Sequence, residues 1–363
     1  MGARGDIDEL NQTLRLISSD WAGDWWRSAI ISGLGAGLPR YKGKLGRLTL
    51  TSLLSKPPAA LAESCRGVKT WFDQNQQIAT DSDRSITDRT AAVELLAYQS
   101  FAKASTALAE LLSTEQPVQL QTASIQALTK NGSAEAAKIV LDRWPELGPA
   151  VRPIGLDMLL RKTETTRLAL AAMAKKQMNP SALSINQRAR LLKHSDNALR
   201  LQAEKLFGGA VSSNRQKVAK DYERALTLVA DGANGHKVFK RVCAACHRVD
   251  GEGHDAGPDL SDLRNRSKPA ILYDILDPNS KVEPRFTSYS ILTVDGEVFN
   301  GLVVSETSDA VVLKMAEGKQ ATIGRAEIER LKVSDVSLMP EGIEKDITPQ
   351  QMADLLGYLK NRN

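Results

Sequence analysis

Apolar residues in the first part of the chain recur with the period of an α-helix. Leu10, Leu14 and Ile17 stand four and three positions apart, which places their side chains on one helical face. Glycine and proline residues interrupt this pattern at intervals, and such residues mark turns between helices. The sequence therefore predicts a set of short helices over residues 1–84.

Residues 85–210 repeat a pattern in which a long polar residue precedes a small residue by three positions and an apolar residue by seven. Offsets of three, four and seven lie on one helical face. The long polar residues are Arg89, Gln121, Arg152 and Arg200, at intervals of 32, 31 and 48 residues. Two short helices per unit fit this period. The pattern resembles HEAT-like repeats, which stack into a solenoid, and the longer last interval predicts an extra helix.

Two amphipathic helices are predicted near the two ends of the last domain, residues 232–363. The first covers residues 235–243 and the second covers residues 348–359. We expect these helices to cross, with Gly235 allowing their backbones to approach closely. A connecting helix at about 211–231 is predicted to lead from the repeats into this domain.

Between those two helices, residues from about 284 to 333 alternate apolar and polar positions with the period of a β-strand. Asp295-Gly296 predicts a two-residue hairpin turn within this insert. Four short strands are expected, closing into a small barrel-like module. The fold class is therefore expected to be mainly α: a helical solenoid followed by a helical domain with a small β-rich insert.

The composition is that of a soluble globular chain. Of 363 residues, 42% are hydrophobic and 25% are charged, and no stretch approaches the ~18 apolar residues of a membrane span. Residues 1–231 carry 31 Lys and Arg against 23 Asp and Glu, whereas residues 232–363 carry 17 against 20. The basic residues are scattered without a run of five, which is typical of a solvated helical surface. We therefore expect neither a nucleic-acid partner nor a transmembrane helix.

The candidate chemistry lies in Cys243-Ala244-Ala245-Cys246-His247, which reads Cys-x-x-Cys-His, the attachment motif of a c-type haem. Each thiol can form a thioether to one haem vinyl group, and the imidazole can bind the iron as an axial ligand. A thioredoxin-like redox pair would need a βαβ context, which the flanking residues do not offer. A zinc site would need a second ligand pair, and Cys65 is the one remaining cysteine. We therefore expect one covalent haem c.

The segments around this motif resemble a class I cytochrome c. A helix enters the motif, a Gly-Pro-Asp-Leu segment (257–260) and a Leu-Met-Pro segment (338–340) follow, and a terminal helix ends the domain. The resemblance implies that Met339 is the second axial ligand of the iron. It also implies that Pro258 offers its carbonyl oxygen to the other ring nitrogen of the haem histidine, and that Leu260 packs on the porphyrin.

Two histidines are alternatives to Met339 as the second ligand. His254 lies in a glycine-rich loop and is expected to be exposed to solvent. His236 lies seven residues before Cys243, about two helical turns away.

The interval between the two ligands is longer than in a small cytochrome c, since 92 residues separate His247 from Met339. An Ile-Leu-Asp-Pro segment (275–278) and the β insert fill this interval. Their order resembles the haem-binding C-terminal domain of large planctomycete and verrucomicrobial proteins, over about 232–363. In that family the domain often follows helical repeats and a propeller-like sugar dehydrogenase domain, whereas residues 1–231 show no repeated short strands.

Histidine and methionine ligands leave no open position on the iron, so one-electron transfer is the natural chemistry of such a haem. We therefore expect an electron-transfer domain of an oxidoreductase rather than a stand-alone catalyst, with a dehydrogenase as donor and a cytochrome or respiratory acceptor. If Met339 is not a ligand, a five-coordinate haem enzyme or gas sensor is the alternative. A third interpretation is an interaction scaffold with a structural haem. No catalytic residue is assigned.

Bacteria attach haem c outside the cytoplasm, which predicts a periplasmic or otherwise exported protein. The sequence begins Met1-Gly2-Ala3-Arg4 and lacks the apolar segment of a secretory signal there. We therefore expect the chain to be a fragment of a longer protein.

Overall fold

The computed structural model describes residues 6–18, 25–40, 48–207, 213–280, 282–334 and 336–360. Over these residues the chain is mainly helical with a β-rich insert near its end, which confirms the predicted class at that level. The chain divides into two compact units, Met1–Arg143 with Pro153–Thr165 and Trp144–Arg152 with Thr166–Asn363. No helix in the described ranges is long and apolar enough to span a bilayer.

Among the described residues of Met1–Arg143, the larger segment of the first unit, there are eight α-helices. They are α1 (Ile7–Ile17), α2 (Trp25–Gly37), α3 (Leu50–Ser55), α4 (Ala62–Thr80), α5 (Ile86–Leu96), α6 (Phe101–Glu110), α7 (Val118–Asn131) and α8 (Ala134–Arg143). Asp6 and Ser85 are the N-caps of α1 and α5, because their side chains accept hydrogen bonds from N–H groups of the first turn. Leu14 and Ile17 are fully buried in one core cluster with Phe72, as their helical spacing predicts.

The next four helices are α9 (Arg152–Leu159), α10 (Thr163–Ala174), α11 (Ile185–Leu192) and α12 (Asn197–Phe207). In two of the repeats the long polar residue donates a hydrogen bond to the connection before its helix, whereas Arg89 donates to the Ala79 carbonyl of α4. In α7 the Gln121 side-chain amide donates to the Gln116 carbonyl (2.9 Å), and in α9 the Arg152 Nε donates to the Leu147 carbonyl (2.8 Å). In both cases the acceptor lies five residues back.

Arg188 in α11 makes the same bond, to the Leu183 carbonyl five residues back (3.0 Å). Arg200 instead lies in α12 and donates to the His194 carbonyl, six residues back (3.2 Å). The extra helix expected in the last repeat is therefore α11. Arg188 is the long polar residue of this helix. With Arg188 as the fourth long polar residue, the intervals become 32, 31 and 36 residues, and these residues lie in every second helix along the chain, α5, α7, α9 and α11. Their membership of the HEAT-like class stays a prediction.

Four helices belong to the last part of the chain: α13 (Ser213–Tyr222), α14 (Gly232–Val242), α15 (Lys268–Leu276) and α16 (Pro349–Lys360). The connecting helix predicted at about 211–231 is α13, and it is shorter than expected because a 3₁₀ turn, Glu223–Leu226, follows it. The predicted boundary near residue 210 falls at 208–212, outside the described residues.

Helices α14 and α16 cross at Gly235. A Cβ atom placed there would overlap the Asp354 carbonyl oxygen and lie 2.8 Å from the Tyr358 Cβ. The Asp354 carboxylate is buried and accepts hydrogen bonds from the Asp231 N–H (2.9 Å) and the Asn234 amide (2.6 Å). The helices therefore approach as closely as the sequence predicts, and a buried carboxylate joins the start of α14 to α16.

The β insert follows a two-stranded ribbon, β1 (Arg248–Val249) and β2 (Glu252–Gly253), and is a five-stranded antiparallel sheet rather than the expected four strands. Its strands are β3 (Ser288–Thr293), β4 (Val298–Glu306), β5 (Ala310–Lys314), β6 (Gln320–Gly324) and β7 (Ile328–Val333), in the order β6-β5-β4-β3-β7. Over the described residues β6 and β7 are edge strands, so the sheet does not have the closed order of a barrel. The predicted two-residue turn between β3 and β4 is wrong in length. Thr293 pairs with Glu297, so the loop has three residues, and of these Gly296 alone has a positive φ, 82°.

We predict that Gly235→Ala destabilises the last domain by about 1–3 kcal/mol, because the added methyl group must force α14 and α16 apart. Circular dichroism during guanidinium unfolding measures this loss. The matched control is Gly232→Ala in the same helix, where a Cβ meets nothing within 4 Å. That change is expected to be neutral or to stabilise by about 0.4–1 kcal/mol. Equal unfolding midpoints for the two variants would contradict the close crossing.

Candidate haem site

The Cys-x-x-Cys-His motif forms a tight turn at the end of α14. The Cys243 N–H donates to the Phe239 carbonyl (2.8 Å) and completes the helix. The Cys243 carbonyl then accepts hydrogen bonds from the N–H groups of Cys246 (3.1 Å) and His247 (2.9 Å). The turn therefore places both thiols and the imidazole together at the end of one helix.

The next three carbonyls of the turn each accept a hydrogen bond from a later part of the chain. The pairs are His254 N–H to Ala244 O (3.0 Å), Glu317 N–H to Ala245 O (2.7 Å) and Gly257 N–H to Cys246 O (2.7 Å). Glu317 lies in the turn between β5 and β6, so the insert supports the motif directly. The Lys314 ammonium and the Asp255 carboxylate form an ion pair (2.9 Å) that joins the same two regions.

The imidazole of His247 is held from one side by a proline carbonyl. Its Nδ1 lies 2.8 Å from the Pro258 oxygen, so Nδ1 carries the proton and Nε2 keeps its lone pair for a metal. Burial lowers the pKa of His247, although the bond to Pro258 acts in the opposite direction, and a neutral imidazole is the ligating form. Gly257 is needed beside it, because a Cβ there would lie 2.7 Å from the His247 Cε1.

A cavity of about 430 Å³ opens in front of this turn, within the usual ~300–1,000 Å³ of cofactor sites. All six residues predicted for the site line it: Cys243, Cys246, His247, Pro258, Leu260 and Met339. Apolar side chains from α15 and α16, including Ile271, Leu355 and Leu359, complete much of the wall. The β insert contributes Leu302 and the segment before it contributes Phe286.

The two alternative histidine ligands are placed elsewhere. His236 pairs through Nε2 with the Glu252 carboxylate (2.6 Å) and stacks on the Tyr358 ring, with 5.0 Å between the ring centroids. His254 is exposed and lies beside Gly318 of the insert. Neither is among the residues lining the cavity, whereas Met339 is.

The surroundings of the thiols do not match a redox pair or a zinc site. Burial and the neighbouring Cys246 raise the pKa of Cys243 to about 12, and burial also raises the pKa of Cys246. Redox-active Cys-x-x-Cys pairs have the opposite property, a lowered thiol pKa. The flanks are α14 and the ribbon β1–β2 rather than a βαβ unit. The described residues contain no cluster of three His, Cys, Asp or Glu arranged for a metal ion.

Comparison with known proteins agrees with this geometry. Residues 232–286 match the family model of cytochrome c. A cytochrome c of Nigella damascena is 43% identical over 42 residues, which are 11% of this chain and 38% of that protein. The chain contains a cytochrome c-like domain. Such a domain carries covalently bound haem c with its iron, and the single Cys-x-x-Cys-His motif provides for one haem.

The residues of the site fit haem c. Cys243 and Cys246 would hold the porphyrin through thioethers, and the free Nε2 of His247 would bind the iron. The haem supplies a redox-active iron. The protein supplies a neutral, oriented imidazole and apolar side chains from α15 and α16 that line the cavity.

Sequence patterns did not indicate two parts of this wall. Alternation along β4 places Leu302 on one face of the sheet, but it does not say that this face meets the cavity. Phe286 lies in a short 3₁₀ turn, Pro284–Phe286, with no pattern of its own. Both residues enter the site through tertiary packing of the insert.

We predict that replacing both motif cysteines, Cys243→Ala/Cys246→Ala, makes the haem extractable by acidified organic solvent, whereas the unmodified protein retains it. The reason is that thioethers are the bonds that survive unfolding. The matched control is Cys65→Ala, which removes a buried thiol outside the cavity and should keep the haem bound. Haem retained by the double variant after extraction would contradict thioether attachment at these residues.

Proposed function

We propose that this chain transfers single electrons through a haem c ligated by His247 and Met339. The observation that carries the proposal is that both side chains line one cavity together with the two attachment thiols. Two strong-field ligands would leave no open position for a substrate or a gas. Electron exchange at the haem edge is then the activity that remains.

The protein's own residues support this role in three ways. The Pro258 carbonyl keeps the proton of His247 on Nδ1, and so preserves one ligand geometry in both oxidation states. The apolar side chains of the wall would favour a high reduction potential, and the thioether of Met339 would act in the same direction. A high potential suits an acceptor of electrons from a dehydrogenase, so we propose a dehydrogenase as donor and a cytochrome or respiratory carrier as acceptor.

Charges around the cavity favour a basic partner. The two arginines of the lining are each paired with a carboxylate: Arg266 with Asp274 (2.6 Å) and Arg285 with Glu283 (2.9 Å). Carboxylates outnumber arginines in the lining by five to two, so the local charge is negative; the five are Asp259, Asp262, Asp274, Asp277 and Glu283. The haem propionates add further negative charge. A partner with a positively charged surface would be steered to this face at low ionic strength.

Two broader features belong to the same proposal. We place the protein in the periplasm or another exported compartment, because bacteria attach haem c there. We also propose that helices α5–α12 are HEAT-like repeats that space or bind other modules, since solenoids present extended surfaces.

The ligand proposal predicts that ferrous protein binds carbon monoxide slowly, because Met339 must first leave the iron. Met339→Ala should bind carbon monoxide rapidly. Its reduction potential should fall by roughly 100 mV or more, within the ~0.8 V range that axial ligands control. Met315→Ala, at a half-buried methionine outside the cavity lining, is the matched control and should behave like the unmodified protein. Rapid carbon monoxide binding by the unmodified ferrous protein would favour a five-coordinate enzyme or sensor instead.

The charge proposal predicts opposite salt dependences for two small redox probes. Added salt should slow oxidation by a cationic cobalt(III) complex and accelerate oxidation by ferricyanide. Asp259→Asn/Asp262→Asn should lower the low-salt rate with the cation by about threefold. The control Glu115→Gln/Glu329→Gln removes the same charge from exposed residues outside the cavity lining and should have little effect. Equal slopes for the two probes would contradict an acidic docking face.

A further inference from the structure

The segment that carries Met339 lies between regular elements. β7 ends at Val333 and α16 begins at Pro349, and residues 336–342 contain neither helix nor strand. Within this segment the Met339 N–H donates to the Ser337 hydroxyl (3.1 Å). That contact is local, and it does not fix the segment to the rest of the domain. Contacts from outside the segment must therefore set the position of Met339.

One side chain contacts the segment on both sides of Met339. The Asn279 Oδ1 accepts a hydrogen bond from the Ser337 N–H (2.6 Å), two residues before the methionine. The Asn279 Nδ2 donates to the Glu341 carboxylate (2.6 Å), two residues after it. A single amide therefore spans Leu338-Met339-Pro340 and uses both its donor and its acceptor to do so.

Asn279 is itself held at the end of α15. The Asp277 N–H donates to the Tyr273 carbonyl and ends the helix (2.9 Å). The Ser280 N–H (3.1 Å) and hydroxyl (2.7 Å) both donate to the Asp277 carbonyl, which closes a turn around Pro278 and Asn279. The fixed φ of proline further restricts this turn. The amide therefore projects from a hydrogen-bonded turn at the end of α15.

Arg215 forms a second link between the end of α15 and the chain after Met339. Arg215 forms a buried, two-pronged ion pair with Glu344 (3.0 and 2.7 Å). The Nε of the same arginine donates to the carbonyl of Leu276, the last residue of α15 (2.6 Å). The segment that carries Met339 is thus fixed to the end of α15 both beside the methionine and five residues after it.

We propose that Asn279 is a positioning residue that holds Met339 in its ligating position by clamping both sides of its segment. The inference rests on the proposed ligation of the iron by Met339. Without the clamp, the segment samples conformations in which the methionine is withdrawn. An added ligand then competes for the iron more successfully, although Asn279 touches neither the iron nor the added ligand.

The test is a titration of the ferric holoprotein with imidazole, which must displace Met339 to bind. Asn279→Ala is expected to lower the apparent Kd for imidazole about tenfold, which corresponds to ~1.4 kcal/mol. The weak red absorption band of methionine-ligated ferric haem should lose intensity in parallel. Glu341→Ala, at an exposed residue whose loss should not disturb folding, should shift the Kd in the same direction by a smaller factor.

Exchanging the donor and the acceptor between residues 279 and 341 tests whether their hydrogen bond can be restored. Asn279→Asp alone places two carboxylates together and should weaken methionine ligation at least as much as the alanine variant. Asn279→Asp/Glu341→Gln restores the hydrogen bond between the two side chains with donor and acceptor exchanged, keeps an acceptor for the Ser337 N–H, and should return the Kd close to that of the unmodified protein. Asn300→Ala, at an exposed asparagine in β4, is the matched control and should leave the Kd unchanged.

The Met339→Ala background separates the possible failures. There Asn279→Ala should have no further effect on imidazole binding, because no methionine remains to be displaced. An equal shift in that background would overturn the positioning role and make Asn279 a residue that only shapes the cavity. If Met339→Ala binds imidazole like the unmodified protein, the ligand proposal fails. If Met339→Ala binds imidazole more tightly while Asn279→Ala and Glu341→Ala do not, the clamp alone fails.

Discussion

Four consecutive backbone carbonyls, from Cys243 to Cys246, have to find hydrogen-bond donors once the turn leaves α14. A helix leaves its last carbonyls without partners of its own, and here each of the four accepts a hydrogen bond from a backbone N–H. The donors come from the turn itself, from the loop that contains His254 and Gly257, and from Glu317 of the insert. This requirement explains why the loop after the motif and the β sheet both pack against it. It also brings the Pro258 carbonyl to His247 Nδ1.

The opposite wall of the cavity depends on α15 and α16. Close contact between α14 and α16 at Gly235 fixes the helix that carries the motif, and α15 packs into the same apolar core. The end of α15 then receives the segment with Met339 through Asn279 and Arg215. The β insert is consequently a part of the site rather than an attached module. It supplies a backbone donor to the motif and Leu302 to the wall.

The features that depend on local pattern or on motif spacing could be predicted from the sequence. They include the two crossing helices, the approach at Gly235 and the haem motif at the end of a helix. The fifth strand, Ile328–Val333, was missed because three charged residues interrupt its apolar alternation. Arg188 was missed because its role is visible only in a hydrogen bond. Asn279 was missed because its partners lie about sixty residues away, at a separation that no local pattern encodes.

The proposed electron transfer depends on His247 and Met339 together completing the coordination of the haem iron. X-ray absorption at the iron edge of the ferric holoprotein tests it most directly, since it identifies the atoms bound to the metal. Ligation by His247 and Met339 predicts four porphyrin nitrogens, one imidazole nitrogen and one sulfur around the iron. A five-coordinate iron, or a sixth ligand that is nitrogen or oxygen, would contradict it.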